Sequence, residues 1–266
     1  MSFFSGKRVL ITGGSSGIGL AAAKKLHAEK AELLLVARDP QKLKEAMEEI
    51  DSGLAPISTY SLDISDAAAV EATIAEFGAI DILINNAGIT RPGNFLELPE
   101  ECFQQMLDVN YLAAVRLTRL LVPSMIERKE GRIAFVSSFL GLMGIWGYSA
   151  YAASKFAVRG FAECLRCELN PHNIGVSVCY PPDTDTPQHD WEQPYLPAET
   201  IAQAGTAGLL SPEFVADCLL LGIRKGKFQI VPGLQASLIE IANRLAPGVV
   251  RTLLDHDARK VRAERI

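Results

Sequence analysis

Several things are scarce in this 266-residue chain. No apolar run approaches the roughly 20 residues of a membrane-spanning helix. The opening MSFFSGKRVLIT has no basic stretch followed by an apolar core, so no secretory signal is expected there. Cysteines number five (Cys102, Cys164, Cys167, Cys179, Cys218), an odd and scattered set that points to a reducing, cytoplasmic setting rather than a disulfide framework. Cys164 and Cys167 form a CxxC inside a strongly helical segment, where core packing is expected rather than redox or metal work. The four histidines (His27, His172, His189, His256) show no ligand spacing, so no metal site is expected. Excess positive charge is also missing: the net charge is −5 and the pI near 5.5, which argues against a nucleic-acid partner. No internal repeat, low-complexity tract or linker divides the chain, so residues 1–266 read as one domain. Apolar material is plentiful, 48% hydrophobic against 21% charged, enough for a large core.

That material is arranged as alternating strands and helices. Arg8 to Thr12, Glu32 to Ala37, Ile57 to Leu62, Asp81 to Asn85, Gly131 to Ser138, Gly175 to Tyr180 and Phe228 to Val231 read as seven short strands. Helical patterns lie between them: to about Glu29, from Asp39-Pro40 to Ile50 with Asp39 as cap and Pro40 at the first position, Ser65 to Phe77 with Ser65 as cap, Pro99 to Glu127, and from Ala150 to Leu169. Ser211-Pro212 restarts a helix to about Leu221. Continuous apolar strands alternating with helices specify an α/β fold, a doubly wound Rossmann-type parallel sheet with helices on both faces. Residues 183–210 lack a clear period and are expected to form a substrate loop. Residues 234–266 form a helical tail broken at Pro247-Gly248.

The turn after the first strand is TGGSSGIG, Thr12 to Gly19. Gly13 permits a tight turn, Gly17 lets the backbone approach a pyrophosphate, Gly19 allows close helix–strand packing, and the helix start favours negative charge. A dinucleotide site is expected here, with a merely structural turn as the competing reading. At the end of the second strand an NAD site usually carries an acidic side chain for the ribose. This strand ends Ala37-Arg38. Arg38 offers a planar cation to a 2′-phosphate, with Lys42 one turn on and Ser15 as a further donor, which selects NADP(H). The competing reading makes Arg38 and Lys42 a solvated basic pair.

The segment Ser137 to Lys155 carries the chemistry. Tyr151 follows Ser138 by thirteen residues, and Lys155 follows Tyr151 by four, one helical turn along the same face. A phenol has a pKa of about 10 in water, and a neighbouring ammonium is expected to lower it toward the working range. Tyrosine as proton donor, lysine as tuner and serine as carbonyl polariser suit ketone reduction or alcohol oxidation. Ser137 competes with Ser138, but the thirteen-residue spacing favours Ser138, and Tyr148 is a decoy with alanine, not lysine, four residues on.

TGGSSGIG, Asp63, NNAG at Asn85 to Gly88, Asn110, Ser138 and YAASK at Tyr151 to Lys155 occur in the order of the short-chain dehydrogenase/reductase family, which the chain resembles from about Lys7 to Val231. The resemblance implies that Ser16 and Ile18 join the glycine loop around the cofactor. It implies that Asp63 bonds the adenine amino group with the Ile64 backbone beside it, and that Asn86, Ala87 and Gly88 line the adenosine side and brace the sheet. Asn110 would kink its helix and hold a water linked to Lys155, although alone it could be an ordinary helix polar residue. Ser138 would hold the substrate oxygen, Tyr151 would exchange the proton, and Lys155 would bind the nicotinamide ribose. The family's usual Pro-Gly after the sixth strand is here Pro181-Pro182, which removes an N–H. Thr186, with Thr184 assisting, keeps the expected nicotinamide contact.

The string YPPDTDTP and the second-strand VAR resemble a narrower group, the 3-ketodihydrosphingosine reductases, which use NADPH on a long-chain ketone. A small, apolar or lipid-like ketone is therefore the expected substrate, with Met143, Trp146, Tyr148, Trp191 and Tyr195 as candidate walls. The alternatives are a 3-oxoacyl chain, a steroid-like ketone, or a non-catalytic NADP-sensing regulator. The tail could touch a membrane peripherally, although an interface or core-covering role is favoured. The resemblance also implies a homodimer or homotetramer.

Overall fold

The computed structural model describes residues 2–204 and 208–263; position 1, positions 205–207 of the expected substrate loop and 264–266 of the tail lie outside the described residues. Seven strands alternate with helices: β1 (Arg8–Thr12), α1 (Gly17–Ala28), β2 (Glu32–Ala37), α2 (Pro40–Ile50), β3 (Ile57–Ser61), α3 (Ala67–Ile74), β4 (Ile82–Asn85), α4 (Glu100–Leu107), α5 (Ala113–Arg128), β5 (Gly131–Val136), α6 (Ser149–Leu169), β6 (Ile174–Cys179) and, after an excursion, β7 (Gln229–Ile230). The sheet order is β3-β2-β1-β4-β5-β6-β7 and every pairing is parallel. This is the doubly wound α/β sheet the alternation specifies.

Both faces of the sheet are buried because the strands are apolar at successive positions. Leu10, Leu34, Leu83 and Ile133 pack on one face with Val70, Leu117 and Val158. Val9, Ile11, Leu33 and Ile84 pack on the other with Leu26, Val215 and Leu219. The period of two in each strand sorts the residues between the faces. The winding reverses between β1 and β4, so the crevice beyond the carboxyl ends of these strands is where such a sheet takes a ligand.

Local chemistry moves several boundaries. Asp39 caps α2 as expected, accepting from the Gln41 and Lys42 amides, with Pro40 in the first turn. Asp66, not Ser65, caps α3, accepting from the Ala69 amide; the Ser65 hydroxyl is held by Asp63 at 2.6 Å instead. The long helix expected from Pro99 is interrupted: Asp108–Leu112 forms a π turn between α4 and α5. Cys164 and Cys167 are exposed on α6 rather than in the core, because the buried stripe of that helix is set by Ala152, Lys155, Val158 and Ala162.

The excursion after β6 is more ordered than its composition suggested. It contains α7 (Pro187–Glu192), capped by the Thr186 hydroxyl, and α8 (Ala198–Ala204). It is tied back where Asp185 donates to the Leu210 carbonyl at 2.8 Å and Leu210 to the Asp183 carbonyl at 2.9 Å. Then come α9 (Pro212–Arg224), β7, α10 (Leu234–Leu245) and α11 (Pro247–Ala263). Gln203 of α8 donates to the Leu254 carbonyl of α11 at 2.8 Å, joining the excursion to the tail.

Candidate active site

The glycine turn and the NNAG segment are one structural unit. Thr12 Oγ1 accepts from the amides of Asn86 and Ala87, both at 3.0 Å. Asn86 Nδ2 returns bonds to the carbonyls of Thr12 and Gly13 at 3.0 and 3.1 Å. Asn86 thus braces the two strand ends at the switch point. Gly13 and Gly17 have φ of +67° and +52°, a region that disfavours side chains. A Cβ on Gly13 would lie 2.9 Å from Asn86 Nδ2, and one on Gly17 would lie 3.0 Å from Thr186 Cγ2. These close approaches leave a concave backbone cradle at the start of α1. Ser16 caps that helix in extended geometry without spending its hydroxyl on the helix.

One cavity of about 980 Å³ runs from this cradle across the sheet ends. Gly13, Ser15, Ser16, Gly17 and Ile18 line its start, and Arg38, Lys42, Asp63 and Ile64 its far rim. Asn86, Ala87 and Gly88 form its floor, and Ser138, Tyr151, Lys155, Pro181, Thr184 and Thr186 its other end. Two expected residues stand behind the wall. Gly19 packs against Gly13 and Asn86, where a Cβ would fall 2.2 Å from the Gly13 carbonyl oxygen. Asn110 is buried, accepts from the Ile89 amide at 2.7 Å, and donates to the Ile89 carbonyl at 3.0 Å and Ser154 Oγ at 2.9 Å. Its side chain fixes the loop after β4, and its Oδ1 keeps a second lone pair.

The residues fit a dinucleotide with a 2′-phosphate. The cradle presents free backbone at a helix start. Arg38 and Lys42 are exposed cations, and among the described residues neither makes an ion pair. Asp39, the carboxylate between them in sequence, has its side chain committed to the α2 cap. Asp63 holds a proton less readily than an ordinary carboxyl, because Ser65 bonds it and Arg38 lies near.

At the other end, Ser138 follows β5 and caps a short turn, accepting from the Leu140 amide at 3.1 Å. Its hydroxyl lies against the Tyr151 phenol, which favours the ionised phenol. Ser137 is spent elsewhere, donating to the Lys155 carbonyl at 3.1 Å. Lys155 is buried, donates to the Val136 carbonyl at 3.1 Å, and sits 5.5 Å from the centre of the Tyr151 ring. A Cβ on Gly88 would meet both Asn110 Oδ1, at 3.1 Å, and Lys155 Nζ, at 3.3 Å, so these polar atoms converge on the cavity floor.

The electrostatics depart from the sequence reading. Burial pushes the Tyr151 phenol above its ordinary value, and the charges of Glu192 and Asp183 push the same way. Lys155 does not reverse this, because burial pushes its own ammonium down to about 8 and it is turned to a carbonyl. Proximity of a lysine is not enough when both groups are desolvated.

Of the expected apolar walls, Met143 and Tyr148 line the cavity. Trp191 and Tyr195 instead stack outside, with Arg91 4.2 Å from the centre of the Tyr195 ring. The Trp146 ring donates to Asn94 at 2.8 Å, away from the cavity. Sequence reasoning missed the other wall, Leu238, Ile239 and Ala242 of α10 with Val250, Leu253 and Leu254 of α11. Their helical spacing marks an amphipathic face but carries no address for it. It also missed Glu192, which lines the cavity beside Tyr148.

A parallel sheet with a nucleotide cradle at its switch point, joined by one cavity to a serine, a tyrosine and a lysine, defines an oxidoreductase of the nicotinamide-dependent type. The model of the family described as short chain dehydrogenase matches residues 7–194, and the chain belongs to that family. Among curated proteins it is 41% identical over 233 residues to the 3-dehydrosphinganine reductase of Danio rerio, covering 84% of this chain and 70% of the relative. It is 39% identical over 266 residues to the 3-ketodihydrosphingosine reductase of Dictyostelium discoideum, covering 92% and 79%. Among solved structures it is similar to a short-chain dehydrogenase from Sphingobium yanoikuyae in complex with NADPH, at a TM-score of 0.79 and 28% identity over 94% of this chain and 96% of that one.

Proposed function

We propose that the protein is an NADPH-dependent reductase that converts the 3-keto group of 3-ketodihydrosphingosine to an alcohol. The observation that carries the substrate is the shape and lining of the cavity. It continues from Ser138 and Tyr151 into an apolar passage walled by α10 and α11. Leu238 and Leu253 line that passage and are 58% and 59% exposed, so it opens outward along an apolar edge. A long alkyl chain fits such a passage, and the edge suits uptake from a lipid surface. Among the described residues no helix is long and apolar enough to cross a membrane. The names of the relatives supply the same substrate class.

Bound NADPH supplies the hydride that reduces the carbonyl carbon. The protein's residues handle the oxygen. As negative charge grows there, the Ser138 hydroxyl and the Tyr151 phenol stabilise it by hydrogen bonds, and Tyr151 gives up its proton to the forming alkoxide. A phenol held above its ordinary pKa is fully protonated at neutral pH, which is the form reduction needs. Lys155 holds the nicotinamide ribose and offers a positive charge as phenolate forms. Arg38 and Lys42 take the 2′-phosphate.

The test is NADPH oxidation with 3-ketodihydrosphingosine, set beside short β-keto thioesters and simple ketones. Turnover of the sphingoid ketone well above the rest supports the reading; turnover of the others alone keeps the reaction class and removes the substrate. Arg38→Ala is expected to raise KM for NADPH by about 10- to 100-fold, the worth of a charge-assisted phosphate contact, and to leave KM for NADH nearly unchanged. An equal change for both cofactors would remove the phosphate role. Leu238→Asp with Leu253→Asp is expected to raise KM for the long-chain ketone by about 10-fold or more, since each leucine buries about 1.5–3 kcal/mol of contact at most. A short ketone measured in parallel should be unaffected.

A further inference from the structure

Charge is divided along the cavity. The cofactor end carries Arg38 and Lys42, and the end beyond Tyr151 carries two carboxylates, Asp183 and Glu192. Glu192 ends α7, its side chain is only 12% exposed, and the Tyr148 hydroxyl lies close enough to favour its charged form. Tyr148 in turn places its ring 5.7 Å from that of Tyr151. Thr90, 5% exposed, turns its hydroxyl to the same carboxyl but has no well-aligned hydrogen-bond partner. A buried carboxylate with only one ring between it and the reacting phenol is costly unless a positive group meets it. The nearest side-chain candidate is His189 on the same helix, its Nδ1 3.7 Å away and its Nε2 shared with Gln193. Arg91 is turned to the rings of Trp191 and Tyr195.

We propose that Glu192, with Asp183 beside it, receives the ammonium that an α-amino ketone carries on the carbon next to the carbonyl. The proposal rests on the sphingoid-ketone reading above, since 3-ketodihydrosphingosine has an amine on that carbon. It also deepens it. An ammonium adjacent to the carbonyl lies one carbon from the group presented to Ser138 and Tyr151, and the carboxylate lines the same cavity one tyrosine ring away from that point. The same anionic end repels a 3-oxoacyl thioester on a phosphorylated carrier, so Glu192 selects among ketones that the catalytic groups would treat alike. It is a specificity residue and takes no part in proton transfer.

Burial, with repulsion from Asp183, pushes the Glu192 carboxyl up to about 7. Below that value it is neutral and attracts an ammonium weakly; above it the carboxylate forms. Preference for the amino ketone therefore rises as pH climbs through about 7. Of the other groups facing it, Tyr148 and Tyr151 stay protonated across this range because burial raises both. His189 also faces the carboxyl, with its Nδ1 3.7 Å away.

The experiment compares 3-ketodihydrosphingosine with a chain-matched 1-hydroxy-3-ketone that lacks the amine, using the parent, Glu192→Gln and Glu192→Asp. The parent is expected to favour the amino ketone. Glu192→Gln should lower kcat/KM for it by about 10- to 100-fold, mostly through KM, should change the desamino ketone by no more than a few-fold, and should flatten the pH dependence of the preference. Glu192→Asp, which keeps the charge, should retain part of the preference, and NADPH binding by both variants reports that the fold is intact. Equal losses on the two ketones, or no loss on either, overturn the ammonium site while leaving the sphingoid reading standing. A parent enzyme that reduces neither long-chain ketone overturns both.

Discussion

Tyr151→Phe is expected to lower kcat by between about 10²- and 10⁴-fold, the usual worth of a positioned general acid, and to leave NADPH affinity within a few-fold of the parent. The expectation follows from where the hydroxyl is and what else can replace it. Ser138 lies against the phenol and can still hold the substrate oxygen, so part of the electrostatic stabilisation survives the substitution. Ser138 cannot replace the proton, because an aliphatic hydroxyl is a much weaker acid than a phenol and the Leu140 amide it accepts from holds it in place as a hydrogen-bonding group. Tyr148 cannot replace it either. It lies close by, but burial and the Glu192 charge hold its proton even more firmly, and its hydroxyl is turned to that carboxyl. The substitution removes only the hydroxyl, and the ring that remains keeps the packing with Tyr148, Ala150 and Met106, so the variant should fold. Single-turnover reduction with saturating NADPH separates chemistry from binding. A variant with activity within a few-fold of the parent would sink the assignment of Tyr151 as proton donor.

The second large effect belongs to a residue that touches neither ligand. Gly19→Ala places a methyl group 2.2 Å from the Gly13 carbonyl oxygen and 2.6 Å from Asn86 Nδ2. Neither neighbour can move cheaply, since Asn86 Nδ2 is bonded to the carbonyls of Thr12 and Gly13 and those atoms form the cradle. Overpacking of this kind costs about 3 kcal/mol, which for a chain of this size lowers Tm by about 6–12 °C. Displacing the Gly13 carbonyl also deforms the turn that would face the pyrophosphate, so NADPH affinity should fall with stability. Gly160→Ala is the control. That glycine is exposed on α6 with nothing within 4 Å of its added carbon, so the substitution should be neutral or raise Tm through helix propensity. Thermal unfolding and NADPH titration of the two variants check both halves. If Gly19→Ala keeps parental Tm and affinity, the close contact does not constrain the loop.

Much of this was legible in the residues alone because it is local or periodic. Strand–helix alternation with doubly apolar strands specified a parallel sheet, and the sheet has the expected seven strands. The glycine spacing at a strand–helix junction marked the cradle, and Arg38, with no carboxylate until Asp39, gave the expectation of a 2′-phosphate there. The interval from Ser138 to Tyr151 to Lys155 pointed to these three as a group, and the structure brings them to one end of the cavity, since i and i+4 share a helix face whatever the tertiary fold. The thirteen-residue interval favoured Ser138 over Ser137, and the packing adds a reason no interval carries: Ser137 turns inward to the Lys155 carbonyl.

Tertiary structure also decided what depends on burial and on long-range docking. The sign of the Tyr151 shift reversed because desolvation outweighs a lysine that is itself desolvated, and no sequence interval reports burial. Trp191 at the end of α7 and Tyr195 in the turn that follows it left the expected wall because both face Arg91, while Glu192 of α7 turns into the cavity. The tail was legible as two amphipathic helices with a break at Pro247, and its face was ambiguous among membrane, partner and core. Docking against α8, with the bond from Gln203 to the Leu254 carbonyl, makes that face a wall of the cavity. An amphipathic pattern states only that a face must be covered; which surface covers it is decided by contacts between residues far apart in the chain.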